Sequence, residues 1–171
     1  HAVIGEFSIS SMSVSGIESR SGSLSYYPVP QTVPDLKPLN LSTYTLRMTW
    51  TSPYGDLSHN NTEAERYILK YSTVNLFSDD DGFKRADEYA QNWIPLSPGE
   101  NEVRIVEGFN PGTTYYFSIE SVNAYSVRSE FSNVALAAAL KPAPPVGFKA
   151  VQGAVNKVDL SWLPPSGFSS F

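Results

Sequence analysis

The 171-residue sequence has no cysteine and only two histidines. The absence of cysteine excludes disulfides, thiolate metal sites and cysteine nucleophiles, although it does not exclude export from the cell. Basic residues are also scarce, with 12 Lys and Arg against 17 acidic residues and a formal charge of −5. Binding to nucleic acid requires clustered Lys and Arg, so we expect no nucleic-acid partner. No apolar run approaches the roughly 20 residues of a membrane helix, and we expect no membrane span in this chain.

Residues that favour strands and turns are abundant, whereas long helix-forming runs are few. The chain contains 10 Tyr, 9 Phe and 13 Pro, and only 17% of its residues are charged. Aromatic and β-branched residues favour strands, and frequent prolines suit the loops between short strands. The composition therefore predicts a folded, all-β protein.

Residues that could carry catalysis are equally scarce. A Ser-His-Asp triad needs a histidine, and the two available are His1 and His59. His59 lies in a loop rich in Ser and Asn without a nucleophile elbow, which indicates a solvated side chain. No Gly-rich loop follows a predicted strand, so the sequence contains no phosphate-binding motif. We expect neither enzymatic activity nor a cofactor.

Residues 1–31 differ in composition from the rest of the chain. Serine alternates there with apolar residues, and such alternation favours strands. Three interpretations are open: a flexible extended arm, strands that complete a preceding module, and a strand exchanged with a neighbouring subunit. An exchanged strand would bind through main-chain hydrogen bonds. The candidate residues for this assembly interface are Phe7, Ile9, Met12 and Val14. The Pro-rich residues 26–30 predict a stiff linker.

A series of alternating segments begins at Val33. A short strand near Leu36 is interrupted by Pro38, which suits the edge of a sheet. Alternation then predicts strands at residues 45–50 and 66–72, with a polar loop between them. The side chains predicted to point into a core are Leu46, Met48, Trp50, Tyr67, Leu69 and Tyr71.

Residues 73–99 read as an insertion between predicted strands. Apolar residues recur there at helical spacing, which predicts a short helix over one edge of the fold. The helical positions are Phe83, Ala86, Ala90 and Trp93. A strand is predicted again at residues 102–106, where Val103 and Ile105 share one face, and the last strand is expected at about 131–140.

The clearest local signal is the turn Asn110-Pro111-Gly112. Proline presets φ and the glycine after it accepts a positive φ, so the chain reverses at this point. The strand that follows places Tyr115, Phe117 and Ile119 on one side. A turn that delivers a tyrosine to the start of a strand indicates a tyrosine corner, in which the hydroxyl bonds to upstream backbone.

The pattern begins again after the Pro-rich hinge at residues 141–145. Equivalent positions in the two copies are 112 residues apart, and a fixed period indicates tandem modules. The equivalent pairs are Phe148 with Leu36, Val158 with Leu46, Leu160 with Met48, and Trp162 with Trp50. Two strands cannot bury these side chains alone. We therefore expect a longer polypeptide or, alternatively, a neighbouring subunit that supplies the missing strands.

Three motifs together resemble the fibronectin type III family. They are the strand end Met-x-Trp, the strand Tyr-x-Leu-x-Tyr and the segment Phe-Asn-Pro-Gly-Thr-x-Tyr-x-Phe-x-Ile. Residues 89–99 are most similar to repeats of bacterial surface and secreted proteins. The resemblance implies an immunoglobulin-like β-sandwich at residues 32–141, including the 73–99 insertion. Residues 1–31 would then form an extended arm, and residues 142–171 would be the first two strands of a second, incomplete module.

Two further groups of residues are candidate sites. Asp79 and Asp81 lie in an acidic run and form a weak calcium candidate, since the bidentate Glu of a calcium loop is absent at the proper spacing. In the loop at 123–130, Tyr125 and Arg128 are of the types that interfaces favour, and no Arg-Gly-Asp tripeptide is present. A solvated loop and an incidental aromatic residue are the alternative interpretations of these two groups.

These observations predict an extracellular structural protein, a modular subunit of a cell-surface filament, appendage or adhesin that self-assembles by strand addition. Its partner would be further copies of itself in a homo-oligomer or polymer, with other cell-surface proteins or glycans as additional partners. One alternative is a non-catalytic accessory module of a secreted, polysaccharide-degrading enzyme, and another is a receptor ectodomain. Analogy of fold alone does not choose among them.

Overall fold

The computed structural model describes residues 6–9, 22–25, 28–57 and 62–164. These residues form eleven strands and one short helix, α1 (Asp80–Arg85). The strands are β1 (Glu6–Ile9), β2 (Gly22–Ser25), β3 (Lys37–Asn40), β4 (Thr45–Thr51), β5 (Arg66–Ser72), β6 (Asp87–Glu88), β7 (Asn101–Glu107), β8 (Thr114–Val122), β9 (Ala135–Ala138), β10 (Val146–Gln152) and β11 (Val158–Leu163). Within these ranges no helix is long and apolar enough to cross a membrane.

Two antiparallel sheets form the central module. The first has the order β3-β4-β7 and the second the order β6-β5-β8-β9. β4 pairs along its whole length with β7, with Thr45 opposite Glu107 and Thr51 opposite Asn101. β3 pairs only with β4 and contains Pro38, as predicted for an edge strand. The all-β sandwich predicted from the sequence is confirmed.

The main core lies between the two sheets. Apolar side chains alternate along β4, so one side of this strand is buried. The buried sides of β5 and β8 face it across the core. Buried core residues from the strands include Leu46, Met48, Trp50, Tyr67, Leu69, Val106, Phe117 and Ile119. Trp50 and Tyr67 meet edge to face, with ring centroids 5.1 Å apart, an arrangement that aromatic pairs prefer. Tyr71 is only partly buried, but it packs against this cluster on the side predicted.

The tyrosine corner is confirmed. The backbone N–H of Asn110 donates to the hydroxyl of Tyr115 at 3.1 Å, which ties the start of β8 to the preceding turn. Gly112 has a φ of 71° in that turn, a conformation that glycine adopts without steric cost. Phe109, Tyr115 and Phe117 are all buried beside the turn. The turn therefore anchors one end of the core.

The helix is shorter than the sequence predicted. It ends at Arg85, and β6 follows at once, so Ala90 and Trp93 are not helical. Trp93 instead packs against the main core from an extended segment, with its ring 5.9 Å from that of Trp50. The helical spacing of Phe83 and Trp93 therefore does not reflect one helix face, because the two side chains pack in separate clusters. Phe83, the predicted residue that does lie in the helix, is buried in a second cluster with Ile68 and Val122 on the outer face of β5 and β8.

The orientation of β7 also differs from the apolar pattern in its sequence. Val103 and Ile105 do share one face, but that face is half exposed. The core side carries Glu102 and Val106, both fully buried, with Arg104 between them. The pairing of β7 with β4 sets this phase, because Glu102 lies opposite Trp50 and Val106 opposite Leu46. The register therefore overrides the hydrophobicity of the strand.

Two hairpins complete the described structure. β1 pairs with β2, with Phe7 opposite Leu24, in a two-stranded sheet separate from the central module. β10 pairs with β11 in a second two-stranded sheet. The last strand of the central module, β9, covers only part of the predicted 131–140 range.

Candidate functional site

A buried polar network lies at one end of the sandwich. Glu102 is fully buried, and its Oε1 accepts hydrogen bonds from the Tyr67 hydroxyl at 3.1 Å and from the backbone N–H of Leu96 at 2.7 Å. The hydroxyl of Ser52 lies 3.2 Å from that of Tyr67 and donates to the carbonyl of Leu96 at 2.7 Å. The network therefore joins β4, β5 and β7 to the segment before β7.

Arg104 balances the charge of Glu102. Its Nη2 lies 2.6 Å from Glu102 Oε2 as an ion pair, and it donates a hydrogen bond to the carbonyl of Ile94 at 2.7 Å. The guanidinium carbon lies 5.9 Å from the centre of the Trp93 ring, within cation–π range. The carboxylate is thus buried with a partner, as a charge in an apolar interior must be.

The contacts of this network connect β5 and β7 to the loops that follow β4 and precede β7. Burial raises the pKa of the Tyr67 hydroxyl, and the nearby charge of Glu102 adds to the rise. Tyr67 therefore stays protonated at physiological pH. The network holds residues 94–96 against the sheet.

A second polar centre fixes the segment that leads into the module. Asn123 is buried, and its side-chain NH₂ donates to the carbonyls of Pro28 at 2.6 Å and Gly55 at 3.3 Å. Its Oδ1 accepts from the backbone N–H groups of Tyr125 and Val127, both at 3.0 Å. All four hydrogen bonds that an amide side chain can make are formed. Asn123 therefore links three loops at one point.

The calcium candidates Asp79 and Asp81 lie at the start of α1 with different partners, and calcium binding there stays a prediction. Asp79 is the N-cap of α1, where its Oδ1 accepts from the N–H of Gly82 at 2.7 Å. Asp81 is solvent-exposed, 3.8 Å from Lys84. Within the described ranges no group of three His, Asp or Glu residues could hold a metal. The acidic residues at 79–81 contribute the cap and the negative first turn that a helix favours.

An open groove of about 580 Å³ runs beside this helix. Its lining combines the acidic first turn of α1 with one basic side chain and part of the 130–131 loop. The lining residues are Ser78, Asp79, Asp80, Asp81, Lys84, Glu130 and Phe131. The shape of this groove alone does not define a ligand.

The loop candidates Tyr125 and Arg128 lie at the same end as Asn123. Tyr125 is half-buried and Arg128 is exposed, with its Nη1 3.4 Å from Oε2 of Glu120. Arg128 also forms an isolated bridge to Val122. Their role in recognition stays a prediction.

The assembly candidates lie only partly in the described chain. Phe7 and Ile9 belong to β1, whereas Met12 and Val14 lie outside the described residues, as do His1 and His59. The pairing of β1 with β2 shows that this part of the arm forms a hairpin within the chain. A role of the arm in assembly stays a prediction.

Sequence reasoning missed Glu102 and Asn123, the two residues that organise these polar centres. Glu102 lies near the start of β7, beside the apolar residues Val103 and Ile105, and only the register of β7 against β4 shows that it points inward. Asn123 directly follows β8 and begins a loop, a common place for an asparagine that bonds backbone two residues on. That loop signal could have found Asn123, whereas no local signal marks Glu102.

The two sheets define an immunoglobulin-like β-sandwich whose buried Glu102 and Asn123 bond to the backbone of its loops. The model of the family "Fibronectin type III domain" matches residues 28–135. The chain therefore belongs to the fibronectin type III family. Such modules are generally non-catalytic and occur in extracellular proteins, receptors and enzymes.

Two curated proteins are similar over part of their length. Calcium-activated chloride channel regulator 1 of Equus caballus is 32% identical over 120 residues, which cover 63% of this chain and 13% of that protein. The protein of the same name from Sus scrofa is 30% identical over 120 residues, covering 63% of this chain and 12% of the relative. This chain thus spans about an eighth of the length of these relatives.

Solved structures of low sequence identity are also similar to this chain. The sixth fibronectin type III domain of human fibronectin type III domain containing protein 3 is 17% identical, with a TM-score of 0.45, and covers 69% of this chain and 92% of that one. The two curated relatives are mammalian. The bacterial surface setting suggested by residues 89–99 stays a prediction.

We expect the substitution Glu102→Gln to destabilise the module by about 1–3 kcal/mol. Gln can still accept from Leu96, but it leaves Arg104 without an opposite charge. The free energy of unfolding, measured by urea titration, tests this. Glu107→Gln on the exposed end of the same strand is the matched control and should be nearly neutral. Equal effects of the two substitutions would contradict a structural role for the network.

The buried Glu120 should make stability depend on pH. Burial raises the pKa of this carboxyl, Arg128 and Lys70 oppose the rise, and Asp80 adds to it. The native state then holds the proton more tightly than the unfolded chain, so ionisation of Glu120 at neutral pH costs stability. Glu120→Gln should therefore raise the melting temperature at pH 7.

The gain from Glu120→Gln should shrink as pH falls through the raised pKa and vanish below about pH 4, the ordinary carboxyl range. Melting curves between pH 3.5 and 8 test this, with the exposed Glu130→Gln as control. A gain that is the same at every pH would contradict the assignment to Glu120 ionisation.

Proposed function

We propose that this chain is a non-catalytic structural module of a larger extracellular protein related to the calcium-activated chloride channel regulators. Its role is to hold the segment that precedes the sandwich in a fixed direction. The observation that carries this proposal is the set of hydrogen bonds on residues 28–31, which we call the linker clamp.

The linker clamp bonds both sides of the linker backbone. The carbonyl of Pro28 accepts from Asn123, and the carbonyl of Gln31 accepts from the hydroxyl of Ser121 at 2.8 Å. The N–H of Gln31 donates to the carbonyl of Tyr54 at 2.8 Å, and the carbonyl of Val29 accepts from Leu57 at 3.0 Å. The linker is therefore tied both to the end of β8 and to the loop after β4.

The two linker prolines add stiffness to these bonds. Pro28 and Pro30 are buried, and each ring fixes φ of its residue. A free linker would lose about 1–2 kcal/mol of backbone entropy per ordered residue, and net hydrogen bonds of about 1 kcal/mol each offset that cost. The preset backbone lowers the cost, which supports a spacing role rather than a flexible tether.

The mammalian relatives support the larger setting. A match of 120 residues that covers about an eighth of each relative supports a module among other domains. Any channel-regulating activity would then belong to the whole protein. In the alternatives of an enzyme accessory module or a receptor ectodomain, the chain would keep the same spacing role.

We expect Asn123→Ala to release the linker. It removes four hydrogen bonds, so the amides of Gln31 and Leu57 should exchange with solvent at least about tenfold faster, while those of β4 change less. Hydrogen exchange read by mass spectrometry or NMR tests this. Asn92→Ala, at an exposed position, is the control. Unchanged protection of Gln31 would overturn the spacing role.

A second candidate function is assembly through the N-terminal arm, as the sequence suggests. The supporting observation is that β1 and β2 form a sheet of two strands, apart from both sheets of the module. Two strands alone are marginally stable in water, and each has an outer edge that another strand could join. Further copies of the chain would supply that strand in a filament or adhesin.

Deletion of residues 1–16 should abolish self-association, because it removes β1. Analytical ultracentrifugation and electron microscopy of the purified chain measure this. A variant in which the same residues are replaced by a Gly/Ser segment of equal length separates loss of the strand from loss of length. Polymers of normal size after either change would rule out assembly through the arm.

A further inference from the structure

The hairpin β10–β11 exposes a row of large apolar side chains. Val158, Leu160 and Trp162 alternate along β11 and are 64%, 54% and 57% exposed. The residues between them, Asp159 and Ser161, are polar and lie on the opposite face. An apolar face of this kind costs free energy in water and marks a surface that binds another part of a protein.

The register of this hairpin reproduces that of β3–β4 residue for residue. Its pairs are Lys149 with Ser161, Ala150 with Leu160, Val151 with Asp159, and Gln152 with Val158. At positions 112 residues earlier, the pairs are Lys37 with Thr49, Pro38 with Met48, Leu39 with Arg47, and Asn40 with Leu46. A slip of one residue would have reversed the faces, so sequence repeat and structural repeat coincide.

One local difference separates the two hairpins. A bulge interrupts the pairing between Val146 and Lys149, where Gly147 has a φ of 68°. The bulge lies before the shared register begins and leaves the apolar face of β11 unaffected.

In the central module the equivalent face is fully covered. Leu46, Met48 and Trp50 are 0–1% exposed. β4 has β3 on one edge and β7 on the other, and the sheet containing β5 and β8 covers its apolar face. In the part of the chain described, β11 has only β10 beside it. The hairpin therefore has the first two strands of a sandwich without the strands that cover them.

We propose that the remaining strands of a second fibronectin type III module, continuing the same polypeptide, cover the apolar face of β10–β11. One of them adds to the free edge of β11, as β7 does to β4. The others form a sheet over Trp162, with an aromatic side chain in the place that Tyr67 takes beside Trp50. This inference rests on register and exposure and is independent of the linker clamp.

A second copy of this chain fits the face less well. In the central module of such a copy, the side chains equivalent in position to a cover for Trp162 are Tyr67, Phe117 and Ile119, and in each chain these are already buried against its own β4. To release them, the first module would have to open. A continuing polypeptide carries no such cost.

The test compares the 171-residue chain with the natural polypeptide continued past Phe171 by about 100 residues, the usual size of such a module. In the shorter chain we expect the β11 amides to exchange rapidly, as in an isolated hairpin, at every concentration up to about 100 μM. In the longer chain, protection of the β11 amides should rise at least about 100-fold.

Point variants of the longer chain identify the face that is covered. Leu160→Asp should remove the new protection and leave the melting transition of the first module unchanged. Ser161→Asp, on the adjacent residue of the opposite face, should keep the protection. Equal loss with both variants would overturn the assignment of the face.

Two other results would overturn the proposal. Protection of β11 in the 171-residue chain that grows with concentration would show that a second copy is the occupant. Rapid exchange of β11 in the longer chain, or a gene in which no such strands follow residue 171, would show that no second module covers the hairpin.

Discussion

The structure depends on the need of every sheet with an apolar face to have that face covered. In the central module, β4 turns Leu46, Met48 and Trp50 toward β5 and β8, and the burial of these faces drives the packing of the sheets. The tyrosine corner, the helix over the outer face of β5 and the segment around Trp93 all extend this burial at its margins. The hairpin β10–β11 has the same face without its cover.

Polar groups inside the module position its loops. Glu102 draws residues 94–96 onto the sheet, and Asn123 joins the linker at 28–31 to the loops that follow β4 and β8. Each is buried and bonded, so removing its partners would leave a costly unsatisfied group. An apolar interior combined with polar hydrogen bonds to the connecting segments agrees with the proposed role of holding the adjoining segments in place.

The linker before the central module and the hairpin after it differ in how they contact that module. The linker before β3 is bonded into the sandwich through both side chains and backbone, so it moves with the sandwich. The hairpin after the Pro-rich hinge repeats the register of β3–β4 but exposes its apolar side. The family match over residues 28–135 includes the linker and ends before the hairpin β10–β11.

The sequence by itself determined the strands, the turn at residues 110–112 and the tyrosine corner, because alternation and turn chemistry are local properties. The 112-residue repeat likewise predicted two strands after the hinge, at the positions equivalent to the first two strands of the central module. Tertiary structure alone decided that Glu102 points inward and Val103 outward, since the register against β4 sets that phase. It also placed Trp93 on the core without a helix, because an extended segment brought it there. Contacts between residues far apart in the chain are set by the packing of whole sheets, which no local pattern encodes.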